Sequence, residues 1–240
     1  MRKGEESKKK ILDAAERLFS DRGYAGTSVQ DVLDALGISK GAFYHYFETK
    51  MDLLADICSR RAQEWYAQGI AAVRALRGAR SESAGPVEKL NAALKLVSAL
   101  DRQPPSLTGA MAELTITAQD ASARSQLRKI TLDMLTPLVE EILDQGARER
   151  QFVVKRVGEV ARLITMLALD VNEEAMRMIA QRYQSPDCAA GVLELLSAYR
   201  ETIEGIVNAP YGSIVLFDFE EMFSAVGRAI QALSGTAGKN

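Results

Sequence analysis

Four side chains around residue 45 carry the chemistry this chain displays most plainly: Lys40, Tyr44, His45 and Tyr46. An ammonium, two phenols and the chain's only histidine fall within one short stretch. Phenol and ammonium groups donate hydrogen bonds to phosphate oxygens, and an imidazole can reach a base edge. If the stretch is helical, Phe43 and Phe47 are four residues apart and share a face, which can pack on Leu18, Phe19, Val32 and Leu36. Lys40, Tyr44, His45 and Tyr46 are then the candidates to point outward. Gly41 and Ala42 are small, which lets such a helix sit close in a groove. His45 reads as a base contact, a phosphate contact or a plain exposed residue. Lys8, Lys9 and Lys10 read as a solvated helix start or as a basic arm near the same partner.

The elements that must position this face are legible from caps and periodicity. Ile11, Ala15 and Leu18 recur at helical spacing with Leu12 and Phe19 beside them, and Gly23 closes that segment. Ser28-Val-Gln-Asp31 has capping-box spacing and leads into Val29, Val32, Leu33 and Leu36. Gly37 breaks this second helix, Ile38 is an apolar plug, and Ser39 caps a third helix expected to run to about Tyr46. Thr49-Lys-Met-Asp52 is a second capping box. It opens a long helix with Leu54, Ile57, Cys58, Arg61 and Trp65 on one side. A helix, a tight glycine turn and a second short helix make a helix-turn-helix layout, whose second helix enters the major groove.

Further on, residues 77–86 read as a linker of small polar residues ending in Gly85-Pro86. Helical segments are expected over about 87–100, 106–119, 122–146, 157–182, 188–208 and 218–234. Breaks are expected at Gln103-Pro-Pro105, Gly146, Ser185-Pro-Asp187 and Ala209-Pro-Tyr-Gly212. Val153-Val154 and Ile214–Phe217 are β-prone but too few and too far apart to specify a sheet. The expected fold is all-α. A three-helix DNA-binding unit over 1–50 precedes a larger helical body over 51–240.

Thr27-Ser28, the run Gly37-Ile-Ser-Lys-Gly-Ala-Phe-Tyr-His-Tyr-Phe47 and Lys50-Met-Asp-Leu-Leu54 resemble the DNA-binding domain of TetR-family transcriptional regulators. Ile11-Leu-Asp-Ala-Ala-Glu-Arg-Leu-Phe19 with Gly23-Tyr24 resembles that family's first helix and its exit. The resemblance covers about residues 7–55. Leu33 and Leu36-Gly37 stand where many members have smaller residues or Ala-Gly, which bears on packing more than on DNA. The resemblance implies a ligand-binding and dimerisation body joined to the reading domain by the fourth helix. It implies that Thr27 and Ser28 donate to phosphate at a helix N-terminus. It also implies that Ser39, Lys40, Gly41, Ala42 and His45 face the groove, that Tyr44 and Tyr46 touch phosphates, and that Lys50 contacts phosphate. The partner is then a palindromic operator in double-stranded DNA.

Composition narrows the rest. The 240 residues carry 30 basic and 32 acidic side chains, a formal charge of −2, with 47% apolar residues. That apolar content excludes a disordered chain of this charge, and two cysteines exclude a disulfide-dense scaffold. The charged start lacks the apolar stretch of a signal peptide, and no apolar run spans a membrane, so a cytoplasmic protein without membrane contact is expected. A near-neutral total argues against nucleic acid by itself. The positive charge is instead placed locally, at residues 2–10, 40 and 50.

The main competing class is an enzyme in the body. The one imidazole lies in the short third helix, which removes Ser-His-Asp and Cys-His pairs from the body. There is no Cys-x-x-Cys, His-x-x-x-His, Walker A or Gly-x-Gly-x-x-Gly, so no cofactor and no metal are expected. Glu173-Glu174 and Glu220-Glu221 are adjacent, and neighbours on a helix diverge by roughly 100°. A non-enzymatic adaptor that has lost DNA binding would not need the outward face of Lys40, Tyr44 and His45. Trp65, Met111, Met134 and Met166 read as plain core or as the lining of a pocket for an apolar or aromatic effector. Cys58 reads as a small core residue, and Cys188 as a structural thiol rather than a redox sensor. One helix-turn-helix binds weakly, so a homodimer is expected. Its surface would come from the stripes Val160, Leu163, Ile164, Leu167, Val171 and Val192, Leu195, Leu196, Tyr199, Ile203. Segment 157–182 or 188–208 would pair with 218–234.

Overall fold

Local capping at Ser28, Ser39 and Thr49 marks where three of the N-terminal helices begin. The computed structural model describes residues 3–77, 84–97, 121–182, 185, 187–216 and 224. Eight helices and no strand lie among them: α1 Lys3–Arg22, α2 Val29–Leu36, α3 Lys40–Tyr44, α4 Lys50–Arg74, α5 Pro86–Lys95, α6 Ala121–Arg148, α7 Val157–Arg182 and α8 Cys188–Val207. None of the helices searched among the described residues is long and apolar enough to cross a membrane.

Ser28 caps α2. Its side chain accepts from the Asp31 N–H at 3.1 Å, and the Asp31 carboxylate accepts from the Ser28 N–H at 2.7 Å. The Ser28 hydroxyl also donates to that carboxylate at 2.5 Å, and this bond first, then the Ser28 N–H, holds the Asp31 carboxyl below its ordinary range. The α2 cap is therefore complete at neutral pH and weakens only as pH falls through that lowered value. Gly37 ends α2 at φ +62, in the left-handed region where a Cβ is strained, and returns its N–H to the Leu33 carbonyl. Thr49 and Asp52 repeat the reciprocal cap at the start of α4, at 3.0 and 2.8 Å.

The apolar faces of these helices meet in one core. Ile11, Ala15 and Phe19 of α1, Val32 and Leu33 of α2, Phe43, Phe47, and Leu53, Leu54 and Ile57 of α4 are buried together. The later part of α4 turns a different face inward: Tyr66, Gly69, Ile70 and Val73 are buried, while Arg61 and Trp65 are only partly so. The expected single stripe through Arg61 and Trp65 thus drifts, because the first turns of α4 pack on α1 and the later ones on α5 and α6.

In the body, α6 packs on α4, α5 and α7, and α7 packs on α8. Pro86 stands at the first position of α5, where its missing N–H costs nothing. Gly146 does not make the expected break, for α6 continues to Arg148. Gln151 and Arg150 donate their N–H groups to the carbonyls of Gly146 and Ala147, with Arg150 at φ +58, and this closes the helix one turn later. Gly146 serves close approach instead: a Cβ there would lie 2.1 Å from the Phe152 ring.

The β-prone residues after α8 explain themselves. Ile214 and Leu216 are buried and Val215 is exposed, an extended alternation. No neighbouring strand is needed, because the Asn91 carboxamide accepts from the Val215 N–H and donates to the Ser213 carbonyl, both at 2.9 Å. The expected helix over 106–119, the expected helix over 218–234 apart from the helical residue 224, and the break at Gln103-Pro-Pro105 lie outside the described residues, as does most of the expected linker.

Candidate nucleic-acid interface

Helix α3 has only five residues, too few to be stable alone. It is held from both sides. Ser39 caps it, its side chain accepting from the Ala42 N–H at 3.3 Å. Phe43, fully buried, anchors its inner face, its ring 5.6 Å from that of Phe47. The helix ends at Tyr44 rather than near Tyr46. His45 and Tyr46 form the following turn, in which the Phe47 N–H still reaches the Phe43 carbonyl at 3.1 Å.

The outer face then follows. Ser39, Lys40, Gly41, Ala42, Tyr44 and His45 are all exposed, Tyr44 by 53%. Lys40 and Tyr44 stand one turn apart. The His45 ring leans edge-on against Tyr46 at 4.8 Å. Tyr46 itself is half-buried, and its hydroxyl lies close to Gly4 of α1. An exposed ammonium, phenol and imidazole stand beside two small residues, and ammonium and phenol groups can donate to phosphate.

Two residues depart from the expected roles. Thr27 is 1% exposed, and its hydroxyl donates to the carbonyls of Gly23 at 2.9 Å and Leu18 at 3.2 Å. It pins the end of α1 to the start of α2, so its hydroxyl is engaged inside the domain rather than presented to phosphate. Lys50 is drawn inward too. Its Nζ donates to the Tyr24 carbonyl at 2.5 Å and lies 4.0 Å from the centre of the Tyr24 ring. Ser28, by contrast, is exposed at the N-terminus of α2. Lys8 pairs with Asp56 of α4 at 2.6 Å and Lys10 with Glu6 at 3.8 Å, while Lys9 is exposed.

A set of ion pairs that the sequence did not flag joins α1 to α4. Arg60 bonds Asp13 at 2.5 Å and also Glu16, and Arg61 bonds Glu16 from its Nε. Glu16 is nearly buried between the two guanidinium groups. Asp13 and Glu16 lie one turn apart on α1, a hint of a shared polar face, but their partners are more than forty residues away.

In the body, Trp65, Met134 and Met166 are each half-buried, and Met111 lies outside the described residues. Trp65 donates its indole N–H to the Leu96 carbonyl at 3.4 Å. Arg128 of α6 pairs with Asp170 and Glu173 of α7, and Glu140 of α6 lies against Gly158 of α7, so the two helices run antiparallel and Met134 and Met166 stand at about one height. Beside them, the buried Tyr66 hydroxyl meets Thr131 at 2.8 Å, and burial pushes its pKa up to about 12. Among the described residues no group of three or more His, Cys, Asp or Glu side chains is arranged to hold a metal ion.

Both cysteines are buried, and burial pushes the Cys58 thiol up to about 12. A thiol that keeps its proton and lacks access is a poor nucleophile. At pH 8 the native protein is expected to give no reaction with a thiol reagent, and denatured protein to titrate both cysteines. A thiol that reacts before unfolding would contradict this placement.

Residues 11–57 match the family described as bacterial regulatory proteins, tetR family. A helix-turn-helix regulator in the lacX 3′ region of Lactococcus lactis is 39% identical over 59 residues, 25% of this chain and 30% of that protein's length. The transcriptional repressor KstR of Rhodococcus jostii is 25% identical over 179 residues, 75% of this chain and 80% of its own. A crystal structure of a TetR-family regulator from Pectobacterium atrosepticum shares the fold at a TM-score of 0.56 and 18% identity, covering 88% of this chain and 99% of that one. Residues 11–57 thus match the tetR family of bacterial regulatory proteins, and the chain shares the fold of a solved regulator of that family.

Proposed function

We propose that the protein is a homodimeric transcriptional regulator that represses from a palindromic operator and is released when a small molecule binds its body. The observation that carries this reading is the outer face at α3: Lys40 and Tyr44 on the short helix held by Ser39 and Phe43, and His45 just after it, are exposed together. KstR, named as a repressor, aligns along most of this chain and supports the same direction. In this reading Ser39, Lys40, Gly41, Ala42 and His45 meet the groove, Tyr44 and Ser28 meet phosphates, and Tyr46 and Lys50 act mainly by buttressing. Residues 1–50 form the reading domain and 51–240 the body. Leu163 of α7 and Leu193 of α8 are exposed apolar side chains, which favours these helices as the dimer surface. The effector enters the body near Trp65, Met134 and Met166, and its chemistry is apolar or aromatic. It acts by preferring a different spacing of the two reading heads, and shifts the population by no more than its differential affinity.

The test is selection from a random duplex library with the full-length protein. It is expected to recover a two-part palindrome whose half-site centres lie about 34–36 Å apart, one DNA turn. Equal retention of all duplexes would refute sequence-specific regulation.

A further inference from the structure

The face between α1 and α4 raises a geometric question for any dimeric reader of DNA. The reading head is joined covalently to α4 only through the turn at Glu48 and Thr49. A head hinged there would swing and reach half-sites at several separations. The apolar contact beneath, Ile11 and Ala15 against Leu54, Ile57 and Cys58, is non-directional and tolerates small slides.

The polar rungs above it are directional. Lys8 pairs with Asp56, Arg60 with both Asp13 and Glu16, and Arg61 with Glu16. Partners advance together along the two helices, so α1 lies parallel to the first turns of α4 and is held at successive heights. Arg60 spans two carboxylates one turn apart on α1, which a planar fork of donors does in only one orientation. Its side chain and those of Glu16 and Asp56 are largely shielded, so salt screens these rungs less than surface pairs. Slides and pivots both break rungs.

We propose that Asp13, Glu16, Arg60 and Arg61 determine half-site spacing: they lock the reading head onto α4 and thereby fix the separation of half-sites that the dimer accepts. This rests on the dimeric reading above and assigns its spacing selectivity to four residues that lie off the α3 face.

The experiment uses the palindrome recovered by the wild-type protein, the same palindrome with one or two base pairs inserted or removed between its halves, and an isolated half-site. Wild-type protein is expected to bind the altered spacings much more weakly than the native one. In Asp13→Asn/Glu16→Gln, that penalty is expected to fall at least fivefold while affinity for the isolated half-site stays within twofold. Arg61→Gln, which removes the single rung from a half-exposed side chain to Glu16, is expected to change the penalty in the same direction by less, and it decides the matter if the double variant does not fold. An unchanged penalty overturns the proposal. So does an equal loss on half-site and palindromes, which is the mark of a merely structural role. A wild-type protein that recovers no palindrome overturns the regulator reading first, and this inference with it.

Discussion

Phe43→Ala is expected to abolish operator binding and to cost the N-terminal domain about 3–5 kcal/mol, the usual range for deleting a buried phenylalanine ring. The side chain is fully buried, tilted against Phe47 and edge-on to Tyr44. Helix α3 has five residues and one buried apolar anchor. Without that anchor the cap at Ser39 holds a turn with nothing beneath it, and Lys40 and Tyr44 lose their fixed spacing. The loss is comparable with the net stability of a small domain. Denaturant unfolding and a gel shift read the two effects separately. Phe43→Leu keeps most of the apolar contact and is expected to lose far less of each. A native unfolding midpoint in the Phe43→Ala protein would show that α3 is held by something else.

Lys40→Ala with Tyr44→Ala is expected to weaken operator binding by at least about a hundredfold with the fold intact, since each removes a net hydrogen bond of roughly 1–2 kcal/mol or more per subunit. The two residues differ in a way that salt reveals. Removing Lys40 from both subunits takes away two cationic contacts, so the slope of log affinity against log salt should flatten by roughly 1.8. Removing Tyr44 takes away a neutral donor and should leave that slope unchanged. Both side chains are solvent-exposed in the free protein, so thermal unfolding should hardly move. Native affinity in the double variant would remove α3 from the interface altogether.

What the sequence disclosed, and what it withheld, divides by distance along the chain. The caps at Ser28 and Thr49, the stop at Gly37 and the inward pair Phe43 and Phe47 are all set by neighbours within four residues, and each is found as expected. The all-helical class was legible for the same reason. Thr27 and Lys50 were read from their place beside helix ends. Of their actual partners, Leu18 lies nine residues before Thr27 and Tyr24 lies 26 before Lys50, and both depend on how the chain turns after α1. Gly146 looked like a stop because glycine is a poor helix former, yet its small size answers to Phe152, six residues on and around a turn. The partnership of Asp13 and Glu16 with Arg60 and Arg61 joins two helices whose parallel setting no local pattern encodes.

That partnership also says where chimaeras of this protein can be spliced. A graft that exchanges the operator-reading unit at Lys50, where the helix-turn-helix ends, would leave Arg60 and Arg61 in the recipient facing a foreign first helix. Two guanidinium groups would then lack the carboxylates cut for them. The transferable cassette runs from α1 through Arg61, because the seam in the physics lies three turns inside α4 and not at its start.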